Sequence, residues 1–275
     1  MRTVWHRAKA NINRLLGNAP PETRIAHDSA CRPPYEVMEM IIVHIAHNLN
    51  ALTACSLTCR TWYIALVAHL HHTLTFADRK PKPLLKLYQL GLMPLIREIR
   101  VEQYYHTWLR PQAFSRRTLC YFTTFPNVQT LVLERLEIPR FLPDIRRYFG
   151  HFSPTLRSIA LLNPVYTPRQ LSHFLSLFPN LDDITIREFS KRSPSVTVPD
   201  TELVPFSTPR LRGRLVLHGI NSGETWTRLI ASGGGLQFRY MELLRVRGCA
   251  RVLFKACAET LETLRLYMEN NSYGE

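Results

Sequence analysis

The chain has 275 residues, 45% of them hydrophobic and 20% charged, which allows one or two domains with a proper core and argues against wholesale disorder. No apolar run approaches the roughly 18 residues that a membrane span needs, and no secretory signal opens the sequence. The formal charge of +14 is uneven. Residues 1–30 carry five Lys/Arg against two Asp/Glu, residues 31–76 carry two of each, and the remaining +11 falls in residues 77–275. A basic surface of that size favours acidic or phosphorylated partners, or nucleic acid.

In chain order, residues 1–30 contain no acid before Glu22 and read as a basic flexible arm ended by Pro20-Pro21. An acid-poor, amphipathic start of this kind also resembles an organelle transit peptide. Pro34 to Phe76 then predicts three short helices. Pro33 and Pro34 suit a helix start, and Glu36 and Glu39 sit where the helix dipole favours acids. Behind them run two apolar stripes, Val37-Ile41-Ile45 and Met38-Ile42. A surface helix normally buries one stripe, so the second predicts either cover by the rest of the chain or a partner. The second helix is expected from about Asn50, as N-cap, to Thr58, and the third from about Arg60 to His69.

Pro34-x-Glu36-Val37-x-x-x-Ile41-Ile42, then Leu52-x-x-Cys55-Ser56-Leu57-Thr58-Cys59-Arg60-x-Trp62, then Leu70-His71-x-x-Leu74, resembles the F-box motif in its fungal variant. The resemblance spans residues 31–76, about one sixth of the chain, and implies docking onto the Skp-type adaptor of a cullin–RING ubiquitin ligase. By position it makes Pro34, Val37, Ile41, Ile45, Leu57, Cys59 and Trp62 the adaptor-facing residues or their support. It also implies that Cys55 and Cys59 are small buried apolar residues. Pro33 stands where the family usually has Leu, which removes an apolar contact and a backbone donor and is expected to weaken the docking.

Residues 77–94 predict a charged, proline-broken linker and a short helix from Leu84 to Leu92. From residue 95 an apolar pattern recurs: Ile96-x-x-Ile99-x-Val101, Val128-x-x-Leu131-x-Leu133, Leu156-x-x-Ile159-x-Leu161, Leu181-x-x-Ile184-x-Ile186, the slipped Arg212-x-x-Leu215-x-Leu217, Met241-x-x-Leu244-x-Val246 and Leu261-x-x-Leu264-x-Leu266. Prolines at a fixed offset (Pro126, Pro154, Pro179 and Pro209) precede four of these strands and hold the turn extended. Between repeats, Leu171, Phe174, Leu175 and Phe178 have helical spacing. The whole of 95–275 resembles an irregular leucine-rich-repeat solenoid, which implies a parallel sheet, an α/β class and one strand per unit. Residues 190–209, with four prolines, predict a long loop, and Ser232–Gly235 a flexible turn too poor in strand context to hold a phosphate. No polar cap follows Leu266, so the resemblance implies a short or truncated member.

The sequence carries no recognisable nucleophile elbow, zinc-protease, phosphate-loop or paired-carboxylate motif, and the reading is non-enzymatic, without cofactor. The six cysteines form no disulfide framework and read as reduced thiols of an intracellular protein, in cytoplasm or nucleus. Cys55 and Cys59 lie one helical turn apart near His44, His47, His69, His71 and His72, but no second ligand pair matches a zinc spacing, and no metal is expected. Side chains between the apolar repeat positions should point to the opposite sheet face. There Glu98, Arg100, Glu102, Glu134 and Asp183 give way to Arg187, Arg214, His218, Arg245, Arg247, Arg265 and Tyr267. Arginine forks suit carboxylates and phosphates, so Arg187, Arg214, Arg245, Arg247, Arg265 and Tyr267 are the candidates for holding an acidic or phosphorylated target. The expected role is the substrate-recognition subunit of an SCF-type ligase. A basic scaffold for nucleic acid or acidic proteins, or a degenerate F-box relative, is the alternative.

Overall fold

A computed structural model of the chain describes residues 34–77, 87, 90–102, 121–135, 147–188, 211–219, 224–231, 235–246 and 249–267. The basic arm, Pro33, most of the 77–94 segment, the 190–209 loop and Arg247 lie outside them. The chain is α/β and divides into two compact units, Met1–Leu74 with Lys82–Arg97, and Thr75–Pro81 with Glu98–Glu275. Among the described residues no helix is long and apolar enough to cross a membrane.

The described α-helices of the first unit include α1 (Tyr35–Ile45), α2 (Leu49–Ser56) and α3 (Arg60–Leu70). Pro34 precedes α1 with φ −49°, and its carbonyl accepts from the amides of Val37 and Met38. The cap of α2 is Asn48, not Asn50: its Oδ1 accepts from the Ala51 amide at 3.1 Å. A cap at Asn48 starts the helix earlier and turns Leu52 inward. Ile42, Leu52 and Leu66 then form one core, with Ile45, Cys55, Trp62, Ala65 and Leu70 packed against it. Val67 and Leu92 form a second, with Tyr63, Leu87, Leu90 and Leu95. Cys55 is half-buried, but Cys59 is exposed, contrary to the expectation for it, because it is the extended residue that opens α3.

The second unit is organised by an eight-stranded sheet whose strands follow chain order. They are β1 (Thr73–Ala77), β2 (Glu98–Glu102), β3 (Thr130–Glu134), β4 (Ser158–Leu162), β5 (Asp183–Arg187), β6 (Leu211–His218), β7 (Leu236–Leu244) and β8 (Thr263–Tyr267). Every pair from β2 to β8 is parallel. The register aligns two inward rows, Ile99-Leu131-Ile159-Ile184-Leu215-Met241-Leu264 and Val101-Leu133-Leu161-Ile186-Leu217-Leu243-Leu266. From Ile99 to Leu243 these side chains are fully or almost fully buried. On β8, the edge strand, Leu264 and Leu266 are exposed.

Helices α4 (Pro168–Leu175), α5 (Glu224–Ala231) and α6 (Ala250–Cys257) lie between strands in the chain. Helix α4 opens on a capping box: Thr167 Oγ1 accepts from the Gln170 amide, and Gln170 Oε1 accepts from the Thr167 amide at 2.8 Å. That exchange satisfies the side-chain oxygen of Gln170, a residue buried to 1% exposure. A chain of edge-to-face rings fills the layer behind the sheet, with centroids at 5.1 Å for Phe76–Phe122, 5.4 Å for Phe122–Phe149, 6.1 Å for Phe149–Phe174 and 5.4 Å for Phe174–Phe178. Each buried Phe contributes roughly 1.5–3 kcal/mol by area, and each such pair roughly 0.5–1.5 kcal/mol more.

The strand ends repeat a second device. Arg135, Asn163, Gly219 and Arg245, each one residue past the strand before it, have φ of 57°, 51°, 77° and 56°. Their amides donate to the carbonyls of Leu162, Arg187, Leu244 and Tyr267 on the next strand. At Gly219 a Cβ would collide with the Glu188 carbonyl, whereas at Gly235 it would meet open space. Gly219→Ala is therefore expected to destabilise the protein by about 2–3 kcal/mol, and Gly235→Ala by no more than about 0.5 kcal/mol. Urea unfolding of the two variants beside wild type measures the difference.

Candidate functional site

The first unit leaves apolar side chains in solvent. On α1, Met38 and Ile42 face the core, so at about 100° per residue Met40 and Val43 fall on the far side and Ile41 on the flank. Met40 is 60% exposed, Val43 66% and Ile41 39%. An open depression runs past Met40, Ile41, Val43 and Ile45, bordered by Glu36, Glu39 and His44. Leu57, which caps the end of α2, is 80% exposed, and Leu49 at its start is exposed too. Of the residues expected to meet an adaptor, Pro34, Ile41, Leu57 and Cys59 therefore face outward. Val37 and Ile45 are half-buried, and Ile45 and Trp62 pack against the Ile42–Leu52–Leu66 core as support. Met40, Val43 and Leu49 were not singled out from the sequence. The signal was there in α1, where apolar residues occupy every side of the helix.

The second unit presents a charged sheet face. The register sets Asp183 beside Arg214, Arg214 beside Tyr240, Thr185 beside Val216, and Arg187 beside His218. On the last strands Glu242 pairs with Arg265 and Leu244 with Tyr267. Arg187, Arg214, Arg265 and Tyr267 thus stand on this face as expected and are exposed. Arg245 does not. The apolar pattern Met241-x-x-Leu244-x-Val246 predicts Leu244 and Val246 inward, but the buried residues are Met241 and Leu243. The buried set keeps the same spacing three residues earlier, Phe238-x-x-Met241-x-Leu243, and Arg239 within it is the extra residue against β6, where Gly213 pairs with Phe238 and Arg214 with Tyr240. Arg245 falls beyond β7 in the left-handed region, and Tyr240 and Glu242 take the face instead.

Tyr240 is the centre of this end. The Arg214 guanidinium lies 5.2 Å and the Arg265 guanidinium 5.6 Å from its ring centroid, one from each neighbouring strand. Its hydroxyl donates to Glu242 Oε2 at 2.9 Å. Glu242 Oε1 meets His218 Nε2 at 3.3 Å, and Arg214 Nη2 stands 3.9 Å from Oε2. Partial burial pushes the Glu242 carboxyl up, but the hydrogen bonds from Tyr240 and His218 and the charges of His218 and Arg214 outweigh it, holding the group below its ordinary range. Burial pushes the Asp183 carboxyl up, against the pull of Arg214, and its Oδ1 is buried with no hydrogen-bond partner. Arg187 and Arg265 form no ion pair among the described residues.

Away from this face, the Tyr166 hydroxyl donates to Glu188 Oε1. Burial raises the Glu188 carboxyl, with the Tyr166 bond opposing, and burial also pushes the Cys249 thiol up to about 11. Cys249 is consequently a neutral, buried thiol at neutral pH rather than a nucleophile. Among the described residues no group of three or more His, Cys, Asp or Glu is placed to hold a metal ion. Comparison with protein-family models, curated proteins and solved structures finds no match to this chain.

The Glu242 network gives a pH dependence with a definite sign. A carboxylate held below its unfolded value of about 4.3 binds fewer protons folded than unfolded in that window. Its stabilisation is fully present above about pH 4.3 and is lost as pH falls through the lower folded value. Glu242→Gln is expected to flatten the acid limb of stability below about pH 4.3, as read by urea unfolding across pH.

Proposed function

We propose that this chain is the target-recognition subunit of an SCF-type cullin–RING ubiquitin ligase. In this reading α1–α3 are an F-box that docks on a Skp-type adaptor, and the second unit is an irregular leucine-rich-repeat solenoid that holds the target. The observation that carries it is the exposure of Leu57, together with Ile41 and Cys59, at positions of a motif that resembles the F-box. A folded unit of three short helices keeps large apolar side chains in water at a cost unless they serve a partner. Support for the repeat reading comes from the chain-ordered parallel strands and from the left-handed residue that recurs past β3, β4, β6 and β7.

The mechanism is positional. The adaptor holds the first unit, the sheet holds the target, and a separate enzyme transfers ubiquitin to lysines kept at high effective concentration. The chain itself supplies no reacting group in this scheme. Its setting is intracellular, in cytoplasm or nucleus, with Cys55, Cys59, Cys249 and Cys257 free. The charge of residues 77–275 motivates the second reading, a basic scaffold for nucleic acid. Binding that falls steeply with salt on unrelated nucleic acids would favour it.

Co-purification with a Skp-type adaptor tests the receptor reading. Leu57→Asp is the informative variant, because Leu57 is 80% exposed and its replacement leaves the core untouched. It is expected to cut adaptor capture by at least about tenfold with unchanged melting, since an unpaired carboxylate in an apolar contact costs upward of about 1.4 kcal/mol. Trp62→Ala is expected to lower stability as well, because Trp62 packs on the core. Failure of folded wild type to capture the adaptor would sink the receptor role.

A further inference from the structure

Two features of the first unit have no part in the adaptor reading. One is the far side of α1, where Met40 and Val43 stand exposed in the open depression. Neither belongs to the residues expected to meet the adaptor. Glu36 and Glu39 border the depression, and among the described residues neither has an ion-pair partner. At about 100° per residue Glu36 falls between Met40 and Val43 around the helix, one to two turns towards the N-terminus, and Glu39 falls beside Val43. This side of α1 is therefore apolar with an acidic rim.

The other feature is the sequence of residues 1–16, which lie outside the described residues. Val4, Trp5, Ala8, Ile12, Leu15 and Leu16 recur at helical spacing and, on a helix, fall within an arc of about 120°. Arg2 and Lys9 fall beside one border of that arc, Arg7 and Arg14 beyond the other, and no acid precedes Glu22. Gly17 and then Pro20-Pro21 suit the end of such a helix. A single apolar stripe with basic borders is complementary to an apolar face with an acidic rim.

We infer that residues 2–16 form an amphipathic helix that seats on the far side of α1, covering Met40 and Val43 and setting its cations against Glu36 and Glu39. Both segments belong to the first compact unit. Residues 17–33 join them and reach at most about 56–61 Å at 3.3–3.6 Å each, against about 16 Å for the 11 residues of α1. The join is therefore long enough for the segment to turn back along α1. Tethering also keeps it at roughly millimolar effective concentration, so a contact too small to hold two separate molecules suffices. Apolar cover supplies the attraction, and the rim selects the sign, because an acidic segment meets repulsion from Glu36 and Glu39.

The inference stands apart from the adaptor reading, since its test contains no adaptor. That test is limited trypsin digestion of the full chain, with the initial rates of cleavage after Arg7, Lys9 and Arg14 read by mass. A seated segment withholds these bonds, so cleavage follows the unseated population. Met40→Gln with Val43→Gln removes the apolar seat without touching the core, and is expected to raise the rates at least about fivefold. Glu36→Gln with Glu39→Gln is expected to raise them at least about twofold. Circular dichroism keeps each comparison among folded chains. Wild-type rates should not change with protein concentration, because the seat is on the same chain. Equal rates in wild type and the Met40→Gln, Val43→Gln variant overturn the inference. Protection that grows with concentration overturns it too, by placing the segment on a second copy.

Discussion

The second unit depends on one constraint: a single short strand cannot bury its own apolar residues. Ile184 and Ile186 are sealed only because Ile159 and Leu161 stand on one side and Leu215 and Leu217 on the other. Behind the strands the phenylalanines solve the same problem in the next layer, where Phe149 touches Phe122 before it and Phe174 after it. Burial is thus borrowed from neighbours along the chain, and each interior unit serves two others. Strand β8 shows the converse, since Leu264 and Leu266, in the same rows, are exposed where, among the described residues, no strand pairs beyond them.

Much of this architecture was legible because it is periodic. All seven strands from β2 to β8 overlap the apolar repeats, and the buried pair on each of β2 to β6 is the one the pattern names. Helix α4 was equally readable, with Leu171, Phe174 and Leu175 buried at helical spacing. What escaped was information held in geometry. On β7 two overlapping runs satisfy the same apolar spacing, Phe238-x-x-Met241-x-Leu243 and Met241-x-x-Leu244-x-Val246, and pairing with β6, with Arg239 as the extra residue, is what selects the first. Asn48 and Asn50 are both good caps, and only the turn after α1 decides between them. The ring chain was spelled out by Phe122, Phe149 and Phe174, but aromatic contact between units is a fact of packing rather than of spacing.

The two units expose different chemistry for different physical reasons. In the helical unit Met40, Ile41, Val43, Leu49 and Leu57 are exposed, and the gain on covering them is the area removed from water, which is non-directional and tolerant of register. On the sheet face exposed arginines stand beside half-buried carboxylates at strand spacing, where the gain depends on sign and position. A surface of the first kind suits one constant partner. The second kind discriminates among partners, because a misplaced charge is penalised as well as unrewarded.

The bulge at Arg239 joins the core to the charged face of the sheet. On β7 the inward and outward sets differ by one residue of phase: Met241 and Leu243 are buried, and Tyr240 and Glu242 hold Arg214 and His218. Without the extra residue, continued alternation from Leu236 and Phe238 would turn Tyr240 and Glu242 into the core and Met241 and Leu243 into water. The core would then hold a carboxylate and lose two apolar side chains, so burial selects the bulged register strongly. Hydrophobic packing behind the sheet therefore decides which side chains stand in front of it. The arginine–tyrosine cluster owes its place to Met241 and Leu243 as much as to its own contacts.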